Sequence, residues 1–587
     1  MTEKKRMNIE VLTLGEKEYN PVNVLKNRRE ITDYFKNSPK TTPDLLLFKR
    51  FINILWKRKH YDEALSAVEA ALEKYPEVTD LAETKCEILY DAGYYSRAAE
   101  AYNLLYMDFP EKYSILQGFG ESLYQTGRLD MAEQVLEKAV ELKTWDPSFL
   151  MNKFSMVELL AKISYQKKNY KKALEYLDDI LTVQPRPSKW QLYFKILKKI
   201  GRNKKLREAK DLYRQILKGR RYASRAARYE LQGKLELAIR NYRKAIEMNP
   251  LEPHYYFCVG STLENLPEEE YEFQFDEATA YYKTAFDMFP NNPFYAMSYV
   301  GNLSNIGEWG KAFEEAKKAA LILPELMLPS LRYLSGMLGA NKEFKEILRK
   351  SIDADPEKEL SEIRVELALM LSDENNPEAK IWFEEAAEIY KNKIRTNPYD
   401  WRHYYDLALC YIELERFSDA HENLMKATEL HESFSVKIGE KLFETLYRLE
   451  KYNDALVILE ALVLSDPGDY EYLGKMGMCF FAIGEYEKAF EAFNRSILLS
   501  KAVPEYLYGA GISAALLGRT EDVINIVKDL LEIDSHFMEV IEQEPTFEKL
   551  KEYEEFKSIL KKKKQEQEKK GVKPAVGLKK IVLPGKK

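Results

Sequence analysis

The 587-residue chain has only four cysteines, six histidines and no long apolar run. Cys86, Cys258, Cys410 and Cys479 lie far apart, so neither a metal knuckle nor a redox pair is visible. Each sits in an apolar helical stretch, where a free thiol acts as a small hydrophobe, and this usage points to a reducing cytoplasmic compartment. The histidines are scattered too. The closest pair, His421 and His431, has the spacing of no common metal motif. No stretch approaches the ~18 uninterrupted apolar residues of a membrane span, and the apolar run between Ile9 and Leu14 is too short for a signal peptide. Also missing are a phosphate-cradling glycine loop, a nucleophile elbow and a zinc-protease helix. The expectation is a protein without metal, cofactor or catalytic residues, and not an enzyme. A net charge of −6 gives no strong global field.

What the chain does have is a period. Ala64, Ala98 and Ala132 are 34 residues apart, as are Ala278 and Ala312, and again Ala455, Ala489 and Val523. Around each anchor the order is the same: a short helix, a turn, then a second helix with a larger residue four positions after the Ala. Small residues such as Gly120 and Gly477 precede the turn, and Leu136 and Phe493 follow it. The spacing predicts two helices that cross closely, one supplying a small residue where the other supplies bulk. Gly127, Gly233, Gly307, Gly484 and Gly518 fall just past the first helix, where a left-handed cap suits glycine. Pro76, Pro110, Pro185, Pro250, Pro290, Pro324 and Pro467 stop the second helix. One such unit cannot bury its own apolar face, so units must stack.

The pattern resembles the tetratricopeptide repeat family. In the stretch from His254 to Pro290, Tyr256, Val259, Gly260, Leu263, Ala278, Tyr282, Ala285 and Pro290 occupy the family's slots. The resemblance covers roughly residues 45–535. It implies an all-α fold, an α-α solenoid in which about fourteen helix pairs wind into a right-handed superhelix. Residues 1–44 do not fit the pattern and are left unassigned. Residues 45–324 form the first part of the array and 401–535 the last. Between them, 325–400 reads as degenerate, with units near Phe344 and Ala379. Residues 536–564 read as a closing helix pair, and 565–587 as a basic, disordered tail.

The family typically binds other proteins or peptide segments in a groove lined by the first helix of each unit. Residues at i, i+4 and i+7 share a helix face. That rule selects Glu83, Glu87 and Tyr90 in one unit and Gln117, Glu121 and Tyr124 in the next, an acidic strip with a repeated tyrosine. In later units it selects Tyr405 and Leu409, then Met478 and Phe481, then Tyr508, an apolar strip expected to anchor a partner. A separate segment, Lys195 to Arg228, carries fourteen Lys or Arg against Glu208 and Asp211. Lys198, Lys199, Arg202, Lys204, Lys205, Arg220 and Arg221 are expected near helix ends and turns, where they would form an anion-binding ridge. The sequence therefore reads as a cytoplasmic interaction scaffold or assembly factor. The alternative is an adaptor that uses the ridge to bind nucleic acid or ribonucleoprotein; an acidic protein would suit the same ridge.

Overall fold

The computed structural model describes residues 12–14, 17–19, 27–37, 42–142, 147–181, 187–267, 274–355, 359–431, 435–500, 503–533 and 537–570. Two three-residue strands, Leu12–Leu14 and Lys17–Tyr19, pair antiparallel, a small addition to the all-helical expectation. Twenty-seven helices then run from Thr42–Lys57 to Thr520–Ile533. One of them serves two neighbouring units, so they form fourteen helix pairs. Contacts divide the chain into two units, one reaching Pro398 and the other starting at Tyr399. Ten pairs belong to the first and four to the second.

Within several pairs the core follows one steric rule. The residue twelve positions before the anchoring Ala is small, and the residue four after it is large and buried. A Cβ built on Gly120 would come within 2.5 Å of the Leu136 side chain, and one on Gly477 within 2.6 Å of the Phe493 ring. Only glycine allows these helices to approach so closely. Phe493, fully buried, also lies against Gly509 of the next unit, where a Cβ would sit 2.6 Å from its ring. Tyr102 lies the same way over Gly118 of the next unit. These large side chains therefore fasten a pair internally and fasten it to its neighbour. In the pair Pro293–Asn305 and Trp309–Ala320 the sizes are exchanged: Val300 faces the role of the glycine and Ala316 that of the bulky residue, and both are buried. Gly301, beside Val300, is exposed with open space around it, so it is not a packing glycine.

The segment 203–231 breaks the expected alternation. It is one continuous helix of 29 residues, ~44 Å long. Buried Ala209 is the second-helix anchor of one unit, and it lies 29 residues before Ala238. That is five short of the period, and no proline lies between them. The connection that normally separates two units is therefore absent, and the second helix of one unit continues into the first helix of the next. Gly219 sits at the junction, where a Cβ would meet the Ala245 carbonyl at 3.1 Å.

Both ends carry extra packing. Helix Arg28–Asn37, in the segment the repeat pattern left unassigned, buries Ile31 and Phe35, and Phe35 stacks on Phe48 at 4.4 Å. At the other end a short helix Phe537–Gln543, a 3-10 turn Pro545–Glu552 and a helix Glu554–Lys570 follow the last pair. Phe537, Ile541, Phe547 and Phe556 are buried in one cluster with Val527 and Leu531 of that pair. Backbone helix continues through 565–570, inside the segment expected to be a disordered tail; 571–587 lie outside the described residues. In the degenerate region a buried polar cluster joins the apolar core. Buried Arg364 donates to Asp355 at 2.7 Å, to Glu385 at 3.2 Å and to the Leu360 carbonyl at 2.9 Å.

The turn inside thirteen of the fourteen pairs uses a left-handed residue. Eight of these are glycines, among them Gly484 with φ +83°, but Lys59, Lys168, Asn375, Glu415 and Glu450 adopt φ between 54° and 63°. A non-glycine residue is strained there by ~1–2 kcal/mol, while glycine loses ~0.5–1 kcal/mol of extra chain entropy on folding. Glu450→Gly is therefore expected to stabilise the protein by roughly 0.5–1 kcal/mol and Gly484→Ala to destabilise it by about 1 kcal/mol. Urea titration of both variants checks the opposite signs. Arg364→Ala strands the buried Asp355 carboxylate and is expected to destabilise by ~3–5 kcal/mol in the same assay.

Candidate functional site

In the first unit the acidic strip is built on helices Thr79–Asp91 and Tyr113–Gln125. Neighbouring first helices are bridged by side chains. Trp56 Nε1 donates to Asp91 at 2.8 Å, Gln125 to the Tyr90 hydroxyl at 3.4 Å and Gln166 to the Tyr124 hydroxyl at 2.9 Å. Trp56, Tyr90 and Tyr124 are 34 residues apart, so the bridges repeat with the units and fix the spacing of this face. Glu83 is held by Lys112 and by the Ser114 hydroxyl at 3.0 Å. Glu121 accepts from Gln117 at 2.9 Å. Glu87 is open to water, and among the described residues no cation lies within ion-pair distance of it or of Glu121. The surrounding helices still remove part of its hydration, which raises its carboxyl above the usual range; Glu83 and Asp91 add to the rise. Glu121 is raised as well, chiefly by burial, against the opposing pull of Gln117 and Lys162.

The later apolar strip is not an open surface. Tyr405, Phe481 and Tyr508 are 3%, 5% and 4% exposed, so these three are corrected from partner anchors to core residues. Leu409 and Met478 are half-buried. The reason is positional. The aromatic residue ending a first helix packs on the residue that opens the second, five positions on. Tyr90 meets Tyr95 at 5.3 Å, Tyr165 meets Tyr170 at 5.8 Å, Tyr447 meets Tyr452 at 5.6 Å and Phe481 meets Tyr486 at 5.4 Å. Phe481 belongs to this clasp. Tyr508 donates to Glu544 at 2.7 Å and packs against Phe537 and Phe547 of the closing segment. Tyr405 lies beneath the Lys437 ammonium at 4.7 Å. The i, i+4, i+7 rule selected a face that includes the clasp position, and so it mixed core with surface.

The basic segment keeps its charge but changes its shape. Lys198 and Lys199 end helix Pro187–Lys199, Arg202 lies in the turn, and Lys204 and Lys205 open the long helix. Arg220 and Arg221 are in the middle of that helix, not near a turn, because the expected interruption is missing. Lys205 is drawn aside by Asp178 at 3.5 Å and by the Tyr193 ring at 5.6 Å. Sequence reasoning named Arg221 but passed over the residues in file with it, Arg207, Lys210, Arg214, Lys218, Arg225 and Arg228. Their steps of three and four residues were visible, but only a continuous helix places them on one face.

Residues 50–111 and 441–506 match one tetratricopeptide repeat family model, and 113–144 and 221–250 match a second. The chain is a tetratricopeptide repeat protein. The match at 221–250 begins inside the long helix, which agrees with that helix ending as the first helix of a repeat. One curated relative, the BBSome complex member BBS4 of Bos taurus, is 29% identical over 128 residues, 22% of this chain and 24% of that protein. The chain thus matches about a quarter of that relative's length. Among solved structures, the APC/C hetero-tetramer Cut9–Hcn1 aligns over 91% of this chain and 98% of that one, at 14% identity and a TM-score of 0.32. YrrB, a TPR protein with an unusual peptide-binding site, aligns over 32% of this chain and 92% of its own, at 21% identity and a TM-score of 0.27.

Among the described residues no cluster of His, Cys, Asp and Glu is arranged to hold a metal, and no helix is long and apolar enough to cross a membrane. Burial pushes the thiols of Cys86, Cys258, Cys410 and Cys479 up to about 12. They stay protonated at neutral pH and are poor nucleophiles. The raised carboxyls of Glu87 and Glu121 carry a testable consequence. The penalty on their charged form is fully present above the folded-state pKa and vanishes below the unfolded value near 4.5. The double variant Glu87→Gln, Glu121→Gln should melt above the wild type at neutral pH. The gap should close as the pH falls towards that value, as differential scanning calorimetry across a pH series reads.

Proposed function

We propose that this tetratricopeptide repeat protein is a non-catalytic interaction scaffold that holds a basic segment of a partner protein against the acidic face of its first repeats. The observation that carries the reading is the pair Glu87 and Glu121, carboxylates without ion-pair partners on a face whose spacing is fixed by inter-repeat bridges. A scaffold needs such a face. Rigid, pre-spaced acceptors bind without a large ordering cost, and partly desolvated carboxylates gain most from an incoming Lys or Arg. Trp56 and Tyr124 flank the carboxylates and supply the aromatic surface that interface anchors favour. The relative over 128 residues is itself named as a member of a complex, which fits a role in an assembly.

The test is charge reversal on the full chain. The triple variant Glu83→Lys, Glu87→Lys, Glu121→Lys should weaken partner binding by ~2 kcal/mol or more, about thirtyfold, with helicity retained. Affinity capture followed by cross-linking mass spectrometry should place the partner's lysines on helices Thr79–Asp91 and Tyr113–Gln125. Undiminished capture by the variant, with cross-links elsewhere, contradicts the reading.

A further inference from the structure

Helix Asn203–Leu231 displays a row of cations that neither the repeat architecture nor the acidic face accounts for. Arg207, Arg214, Arg221 and Arg228 are seven residues apart, and Lys210, Lys218 and Arg225 fill the intervals. All seven are exposed. The row spans ~32 Å of straight helix, with the arginines about 10.5 Å apart. Its charges are largely uncompensated. Arg214 pairs with Asp211 at 2.5 Å in its own helix, and Arg225 lies over the Tyr222 ring at 5.9 Å. Among the described residues the other five have no carboxylate within ion-pair distance, although ion pairs are common elsewhere in the same unit. Like charges one turn apart repel. A chain of net charge −6 that keeps seven cations in single file therefore bears a cost which an anionic partner would remove.

We propose that this row docks an acidic helix of a partner protein, laid lengthwise along the long helix. The proposal rests on the scaffold reading and names a second partner chemistry at a separate surface. Three observations favour a helix. The cations advance on average 3.5 residues per step, close to one per turn, so carboxylates spaced every three or four residues on a partner helix meet them in register. The strict seven-residue interval of the four arginines drifts only ~20° per heptad around an α-helix, so a partner crossing at a shallow angle stays over the row. Arginine, which holds five of the seven positions and all four at that interval, forms two parallel hydrogen bonds with one carboxylate. A nucleic-acid groove fits less well. The back of the helix is committed to the core through Ala209, Ile216, Gly219 and Ala226, so only one face is free, and it cannot enter a groove as a protruding helix does.

Fluorescence anisotropy on the full chain provides the test, with two labelled synthetic peptides of identical composition. One places glutamates every three or four residues along one face of a helix; the other distributes them around it. The aligned peptide should bind at least about tenfold more tightly. The variant Arg214→Glu, Lys218→Glu, Arg221→Glu should lose that preference and at least about tenfold in affinity, with an unchanged melting curve because these side chains are exposed. The effect should shrink as salt rises. Equal binding of the two peptides, tighter binding of duplex RNA or DNA or of phosphatidylserine vesicles, or no binding at low salt overturns the proposal. The variant with Glu83, Glu87 and Glu121 reversed separates the two readings. It should keep the aligned peptide while losing the basic partner, so either surface can fail while the other stands.

Discussion

The close crossing of two helices, a small side chain against a large one, is the constraint on which the rest of this molecule depends. Phe493 lies against Gly477 in its own repeat and Gly509 in the next, so one ring sets the distance both within a pair and between pairs. Tyr102 over Gly118 repeats the second contact. Where the sizes are exchanged, at Val300 and Ala316, the pair still forms, which shows that the summed volume matters more than which helix supplies it. Once this contact is satisfied, each repeat offers its neighbour a fixed apolar flank, and stacking follows.

The stack also decides which side chains are left for binding. Bulky residues at the contact and at the clasp between helices, Phe481 among them, are consumed by packing, and Tyr405 and Tyr508 are buried as well. What remains outside is mostly charge. Glu87 and Glu121 stand on a face whose spacing is set by the bridges from Trp56, Gln125 and Gln166. The cations of Asn203–Leu231 stand in a straight row because five residues of the period are missing there. Loss of a connection thus turns scattered basic residues into a linear surface.

Much of this was legible in the sequence, because packing at a close crossing tolerates few residue types. The 34-residue interval of small and large residues gave the number of helix pairs and the identity of their contacts. Less legible were features in which one residue type serves two ends. Left-handed turns at Lys59, Lys168, Asn375, Glu415 and Glu450 lack the glycine that marks the others. The fused helix was hidden because Ala209 stands 36 residues after Ala173 and 29 before Ala238, off the period on both sides. Arg364 gave no sign of a buried role, since its partners Asp355 and Glu385 lie nine residues before and twenty-one after it. Phe481 was misread because surface and clasp positions share one helical face, and Tyr508 because the closing segment covers it.

The most direct measurement of the central claim is a double-mutant cycle at Gly477 and Phe493, patterned on the natural exchange at Val300 and Ala316. Gly477→Val alone overpacks a filled contact and should destabilise by ~1–3 kcal/mol. Phe493→Ala alone empties it and should destabilise by ~3–5 kcal/mol. If size complementarity governs the crossing, the double variant recovers part of both losses, with a coupling of at least ~1 kcal/mol in denaturant unfolding. Losses that simply add, within ~0.5 kcal/mol, would mean that the two positions do not share a contact volume, and would contradict the account.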